Sequence, residues 1–294
     1  MNLAKYQDVH PLPVEIAERI IDYLGDQVAL NFHDAEACQI TYGTLLNCAL
    51  VCRACRIRSL RNLYRSIRLD PEDFDRHGRD LLHTIKMSPD IRSCVRAWAI
   101  CELPPSSSFL VMSAATRTNT STRALHFIGC QYAIDHLMFF KIITTFRHRL
   151  SFLSLLNVNI TKNRFFRLLS TLPHLTFLVV SHNLINDSEK HRDMFPKRKP
   201  PECRLKGLII NTSNNGEDNE LTFEALLHFP SLLSSLETFI VMVHPTWIGS
   251  TPMESVTSIL ANAAPTLTHV GFTFGDSEFD DVIDSDSPRQ PIHL

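Results

Sequence analysis

One apolar signature recurs along this chain at an interval that fits a strand plus a helix, and no other feature constrains its fold as strongly. The pattern L-x-x-L-x-L appears as Leu150-Leu153-Leu155, Leu175-Leu178-Val180, Leu205-Leu208-Ile210, Leu236-Phe239-Val241 and Leu267-Val270-Phe272. Thr122-Leu125-Phe127 is a weaker copy and Val95-Trp98-Ile100 a degenerate one. From Thr122 the lead positions advance by 28, 25, 30, 31 and 31 residues. Within each copy the period is two, as in a strand; between copies it becomes helical. Phe165, Leu168, Leu169 and Leu172 share one stripe behind a capping Thr161. Val256, Ile259, Leu260 and Ala263 do so behind Thr251-Pro252-Met253-Glu254, which joins a capping box to a proline at the first helical position. Pro173 and Pro265 each stand two residues ahead of the next lead leucine and break the helix there. One such unit cannot bury its own apolar face, whereas stacked units close a continuous core.

Strand, turn and helix in this order resemble the leucine-rich-repeat family. The resemblance implies an α/β fold over residues 90–275: about six or seven stacked units in an irregular solenoid, with a curved parallel sheet on one side and helices on the other. A doubly wound α/β domain alternates its elements in the same way, but no glycine-rich phosphate loop follows any strand. Strand alternation turns the intervening positions to the opposite face, namely Ile128, Phe152, Ser154, Leu156, Phe177, Val179, Ile209, Ile240 and Met242. Such an apolar face is expected to hold a protein substrate, unless flanking segments cover it.

Residues 9–69 follow a different pattern. Leu12-Pro13 opens a helix that Gly25 is suited to stop, and Ile16, Ala17, Ile20, Ile21 and Leu24 are spaced to share one face. Two more helices are expected, over about residues 44–57 and 59–66, with Leu46, Leu50, Val51, Leu63, Tyr64 and Ile67 as apolar positions. Three short helices bury little on their own, so this segment is expected to lean on a partner surface.

Leu12-Pro13-Val14-Glu15-Ile16, Ile20 and Leu24, followed by Leu45-Leu46 and Leu50-Val51-Cys52-Arg53, resemble the F-box motif over residues 11–69. In that family the motif docks the Skp-type linker subunit of a cullin-RING, SCF-type ubiquitin ligase. The resemblance implies that Leu12, Pro13, Ile16, Ile20, Leu24, Leu50 and Val51 bind such a linker here. Two positions depart from the motif. Cys55 stands where the family often has tryptophan, and Gln27 to Gly43 makes a longer connection. Loss of a tryptophan's apolar area is expected to weaken docking by about 1 kcal/mol or more.

Composition narrows the function classes. The 294 residues carry 29 basic and 31 acidic side chains, a formal charge of -2, which argues against general attraction to nucleic acid or anionic membrane. Arg53, Arg56, Arg58, Arg61, Arg65 and Arg68 form an acid-free stretch with only Tyr64 to stack on bases, so they are read as a solvated face or as contacts to an acidic partner. Met1 to Pro13 has no apolar run behind a basic cluster, and no stretch reaches about 18 apolar residues, so a soluble, intracellular chain is expected. Eight irregular cysteines suit a reducing compartment. Cys48, Cys52 and Cys55 at i, i+4, i+7 read as core thiols on one helical stripe; no second pair completes a zinc site, so neither metal nor cofactor is expected. No GxSxG elbow, phosphate loop, HExxH or kinase set is present, and Asp135-His136 sits on an apolar helix, so no catalytic residue is assigned and a non-enzyme is expected. Residues 186–203 read as a basic surface insertion, and 276–294 as an acidic, disordered tail.

Overall fold

The computed structural model describes residues 13–30, 35–70, 79–101, 121–129, 142–158, 160–181, 202–212, 216–243 and 253–274. Leu12, Asp135-His136, Thr251-Pro252, residues 186–201 of the insertion and the acidic tail lie outside them.

The repeat signature folds as its periodicity predicts. Eight strands, β1 (Ser66–Leu69), β2 (Ala97–Cys101), β3 (Ala124–Ile128), β4 (Phe152–Leu156), β5 (Phe177–Ser181), β6 (Gly207–Asn211), β7 (Thr238–Val243) and β8 (His269–Phe274), form one open sheet. Every neighbouring pair is parallel, and spatial order follows chain order. A doubly wound sheet reverses direction at a switch point; this one never does. Register is set where each strand begins. The backbone N–H groups of Arg96, Arg123 and Ser151 donate to the carbonyls of Arg65, Arg96 and Arg123 at 2.7, 2.8 and 2.9 Å, and Thr176, Lys206, Glu237 and Thr268 continue the same step.

Signature leucines point to one side of this sheet. Leu150, Leu153, Leu155, Leu175, Leu178, Leu205, Leu208, Leu236 and Phe239 are fully buried there, with Trp98 and Phe127. Against them pack α4 (Arg79–Met87) through Ile85, α6 (Lys162–Thr171) through Phe165, Leu168 and Leu169, α7 (Gly216–Leu227) through Phe223 and Leu226, α8 (Pro230–Leu233), and α9 (Met253–Ala263) through Val256 and Ile259. The short α5 (Pro89–Cys94) adds Ile91 at the rim. The degenerate copies fit by local substitution: Thr122, in a lead-leucine position, is buried and accepts a hydrogen bond from Trp98 Nε1 at 3.1 Å. Thr161 occupies the N-cap of α6 but makes no side-chain cap bond, contrary to the capping role read from the sequence.

Several expectations for the first 90 residues need correction. The sheet begins at Ser66 rather than near residue 90. Tyr64-Ile67-Leu69 is a further copy of the signature, 31 residues before Val95, and Ile67 is a strand residue, not a helical one. Helix α1 (Val14–Leu30) runs through Gly25, because Val28 extends the buried stripe of Ile21 by two turns. The connection expected to be long is mostly helix, since α2 (Ala35–Val51) follows after only residues 31–34. At Cys52 the backbone is extended, φ -157° and ψ 169°, which ends α2 and starts α3 (Arg53–Leu63).

The three N-terminal helices share a core with the sheet. Ile21, Val28, Cys38, Leu45 and Cys55 pack with Ala97 and Ala99 of β2, on the face opposite the repeat helices, and Ala124 and Ile128 of β3 join them. Alanines at these strand positions leave room for helices to approach. Tyr42 on α2 donates to the Ser66 carbonyl at 2.6 Å and ties the bundle to the edge strand.

A charged row holds α1 to α3. Glu18, Asp22 and Asp26 follow one another at four-residue spacing on α1. Arg58 bonds Glu18 at 2.9 Å and Asp22 in two-pronged fashion, while Arg65 reaches Asp26 at 2.8 Å. The Arg58 hydrogen bond, assisted by Asn62, holds the Asp22 carboxyl below its usual range despite the opposing effect of desolvation. The acidic partner of this arginine stretch is therefore partly α1 itself.

Glycine geometry yields a paired test. A Cβ on Gly25 would lie 2.4 Å from Oδ1 of the buried Asn62, which donates to Asp22, whereas one on Gly43 of α2 meets nothing within 4 Å. Gly25→Ala should destabilise the chain by about 1–3 kcal/mol through overpacking, and Gly43→Ala should stabilise it by about 0.5–1 kcal/mol through helix propensity. Urea-unfolding midpoints of the two variants, moving in opposite directions from the parent, check this.

Candidate functional site

Two apolar surfaces stand out, one on the outside of the N-terminal helices and one on the open face of the sheet. The helices of the first carry apolar residues on more than one face. On α1, Ala17, Ile21, Leu24 and Val28 turn inward, while Val14, Ile16, Ile20 and Tyr23 remain exposed. The single stripe read from the sequence is thus two. On α2 and α3 the exposed set continues with Ile40, Leu46, Leu50, Val51 and Ile57. Among the described residues, nine of the twelve exposed large hydrophobic side chains fall between Val14 and Ile57. Each forgoes part of the about 1.5–3 kcal/mol that complete burial would contribute, so their concentration on one small bundle is costly unless something covers them.

Most of the residues assigned to linker docking lie on this outer surface. Pro13 is exposed, and Ile16, Ile20, Leu50 and Val51 keep 42%, 47%, 84% and 75% of their accessible area. Leu24 is the correction: it is half-buried and packs against the inner core. Leu12 lies outside the described residues. Tyr23, Ile40 and Ile57 were not singled out from the sequence, and Val14 entered only as part of the motif; the apolar residues beyond the first stripe were the available signal. Cys55 also changes meaning. It is buried in the inner core, so cysteine in place of tryptophan alters packing within the bundle rather than area on the outer face.

The three cysteines do not form one helical stripe, since the helix breaks at Cys52. Cys55 is buried, Cys48 is half-buried against the inner core, and Cys52 is exposed at the N-cap of α3. Among the described residues no group of three or more His, Cys, Asp or Glu side chains is placed to hold a metal ion, and no helix is long and apolar enough to cross a membrane.

On the second surface, strand alternation brings Ile128, Phe152, Leu156, Phe177, Val179, Ile209, Ile240 and Met242 to one face, all half-buried. They shield one another. Phe152 stacks on Phe177 with ring centroids 5.4 Å apart and planes 9° apart, and the Phe177 ring lies directly over Gly207, whose missing side chain leaves it room. Ile240 similarly covers Gly271. Two residues depart from the open-face expectation: Ser154 is buried, and Ile128 packs against the helical bundle, which occupies the β2–β3 end of this face. The surface left open begins at the aromatic pair.

His126 stands at the boundary between bundle and open face, with its ring 5.1 Å from that of Phe152. Burial pushes its pKa down to about 4. An unfolded histidine titrates near ~6.5, so between these values the unfolded chain binds a proton that the folded chain does not, and stability falls as pH drops through that window. His126→Phe should make the decline in urea midpoint between about pH 6.5 and 4 shallower than in the parent; an equal decline in both would show that this ring does not carry the effect.

No protein-family model, curated protein or solved structure matches this chain.

Proposed function

We propose that this chain is a non-enzymatic substrate-recognition adaptor of a cullin-RING, SCF-type ubiquitin ligase. In this reading residues 9–69 are an F-box-like segment that docks a Skp-type linker through helices α1 to α3, and the parallel-sheet domain is a leucine-rich-repeat-like solenoid that holds a protein substrate. The observation that carries the reading is the concentration of exposed apolar side chains on the outer face of three small helices, including Ile16, Ile20, Leu50 and Val51 at positions that resemble the F-box motif. A bundle that presents this much greasy surface is built to be covered by another chain. The aromatic pair Phe152-Phe177 and the neighbouring Val179, Ile209, Ile240 and Met242 supply the substrate face.

A second reading, a repeat scaffold whose N-terminal helices are only a cap with no ligase role, draws support from the core that those helices share with Ala97 and Ala99. Inner packing and outer docking use different side chains, so linker binding separates the two readings. Mixed with a recombinant Skp-type linker, the full chain should elute as a complex. Ile16→Arg and Leu50→Arg should each weaken it about tenfold or more, as expected for losing one buried side chain, with unfolding midpoints near the parent's. Val270→Arg, also exposed but on β8, should have no effect on linker binding. Absence of a complex with the parent chain would favour the scaffold.

The substrate face has its own test. Phe152→Asp combined with Phe177→Asp should abolish co-purification of substrate from cells while linker binding persists. Undiminished substrate capture would remove this face from the proposal.

A further inference from the structure

Cys52-Arg53-Ala54-Cys55 is a C-x-x-C sequence placed across the break between α2 and α3. Within a continuous helix, residues three apart hold their Cβ atoms about 5–6 Å from each other, wider than the ~3.8 Å that a disulfide prefers. Here the first cysteine stands outside the helix. Cys52 is the N-cap of the eleven-residue α3, and its extended backbone folds the sulfur back over the first turn, where the Cys55 N–H donates to it at 3.4 Å. The exposed Cys52 sulfur is thus turned toward the residue that carries the buried Cys55 thiol.

We propose that Cys52 and Cys55 form a thiol–disulfide exchange site for small disulfides of the glutathione disulfide class. Exposure assigns the two roles, since Cys52 is open to a small disulfide and Cys55 is buried. Hydrogen bonds, first of all from the Cys55 backbone N–H, hold the Cys52 thiol below the ordinary cysteine range, so the exposed sulfur is the attacking one. Cys55 is held above that range, chiefly by its own hydrogen bond to the Cys52 sulfur. In the first step the Cys52 thiolate attacks one sulfur of glutathione disulfide; that S–S bond breaks, one glutathione leaves as thiolate, and a mixed disulfide forms on Cys52. Cys52 then carries no negative charge to retain the Cys55 proton. Cys55 loses it to the departed thiolate or to water and attacks the Cys52 sulfur, expelling the second glutathione. Two protein thiols are oxidised to one disulfide, and one disulfide is reduced to two glutathione thiols. The site adjoins Leu50 and Val51 of the outer helical face, but its chemistry stands independently of linker docking.

The test uses the reduced full-length chain incubated with glutathione disulfide, quenched in acid, alkylated with N-ethylmaleimide and digested with trypsin. Cleavage after Arg19, Arg53 and Arg56 leaves Cys38, Cys48 and Cys52 on one peptide and Cys55 on the next, so a covalently joined pair in which Cys38 and Cys48 both carry N-ethylmaleimide reports the Cys52–Cys55 disulfide by mass spectrometry. The parent chain should yield that pair, Cys48→Ser should yield it unchanged, and Cys52→Ser should leave Cys55 fully alkylated. In Cys55→Ser the reaction should stop at a glutathione adduct on Cys52; Cys55→Ala, with circular dichroism on both variants, guards against a folding defect. Alkylation of both cysteines in the treated parent, or a disulfide that survives Cys52→Ser and disappears in Cys48→Ser, would overturn the proposal.

Discussion

A strand joined to the next parallel strand through a helix has one apolar face that it cannot bury alone, and the whole molecule is arranged around that deficit. Each copy of the signature places a lead residue and two strand residues on the same side, and each connecting helix adds its own stripe to them. Leu150, Leu153 and Leu155 are buried because β3 and β5 flank their strand and Phe146 and Phe165 cover it. Removing one unit would expose its neighbours, which is why degenerate copies persist with local repairs such as the Trp98-Thr122 hydrogen bond. At the far end the same logic runs out: Val270 on β8, in a signature position, is exposed because no further described strand stacks on it.

The other face of the sheet is divided by side-chain size. Small residues on β2 and at the start of β3, Ala97, Ala99 and Ala124, admit the N-terminal helices, while bulky ones from β4 onward, beginning with Phe152, pack on one another and leave no such seat. The bundle is therefore integral to the domain through its inner residues and through Tyr42, and its outer residues stay free to meet another chain. This separation would let one small helical unit serve both stability and the proposed docking. The acidic row on α1 serves the bundle itself, since Arg58 pairs with Glu18 and Asp22 and Arg65 with Asp26.

Cys55 shows how depth decides what a side chain does. At position 55 the side chain faces the inner core, so its size matters to the packing of Ile21 and Leu45, not to exposed area. It also places a second thiol three residues after an exposed one at a helix start. Only the break in the helix at Cys52 folds its sulfur back onto the Cys55 backbone N–H.

What the amino-acid order determined by itself is the repeat: leucine spacing, prolines ahead of strands and helical stripes specify a parallel sheet with helices on one side, because periods of two and of 3.6 are local properties of a chain. The same local logic placed the apolar face from Phe152 to Met242. Tertiary structure alone decided how the first 70 residues are used. Tyr64-Ile67-Leu69 is a legible copy of the signature, yet its apolar spacing fits a helix equally well, and only pairing with β2 makes it a strand. Gly25 has the character of a helix stop, but the contact of α1 with Asn62 requires a residue without a side chain at that point and the helix continues. Ile20 and Ile21 are adjacent and chemically alike; one is exposed and the other buried, because burial depends on where neighbouring helices lie, and no neighbour is encoded at one position.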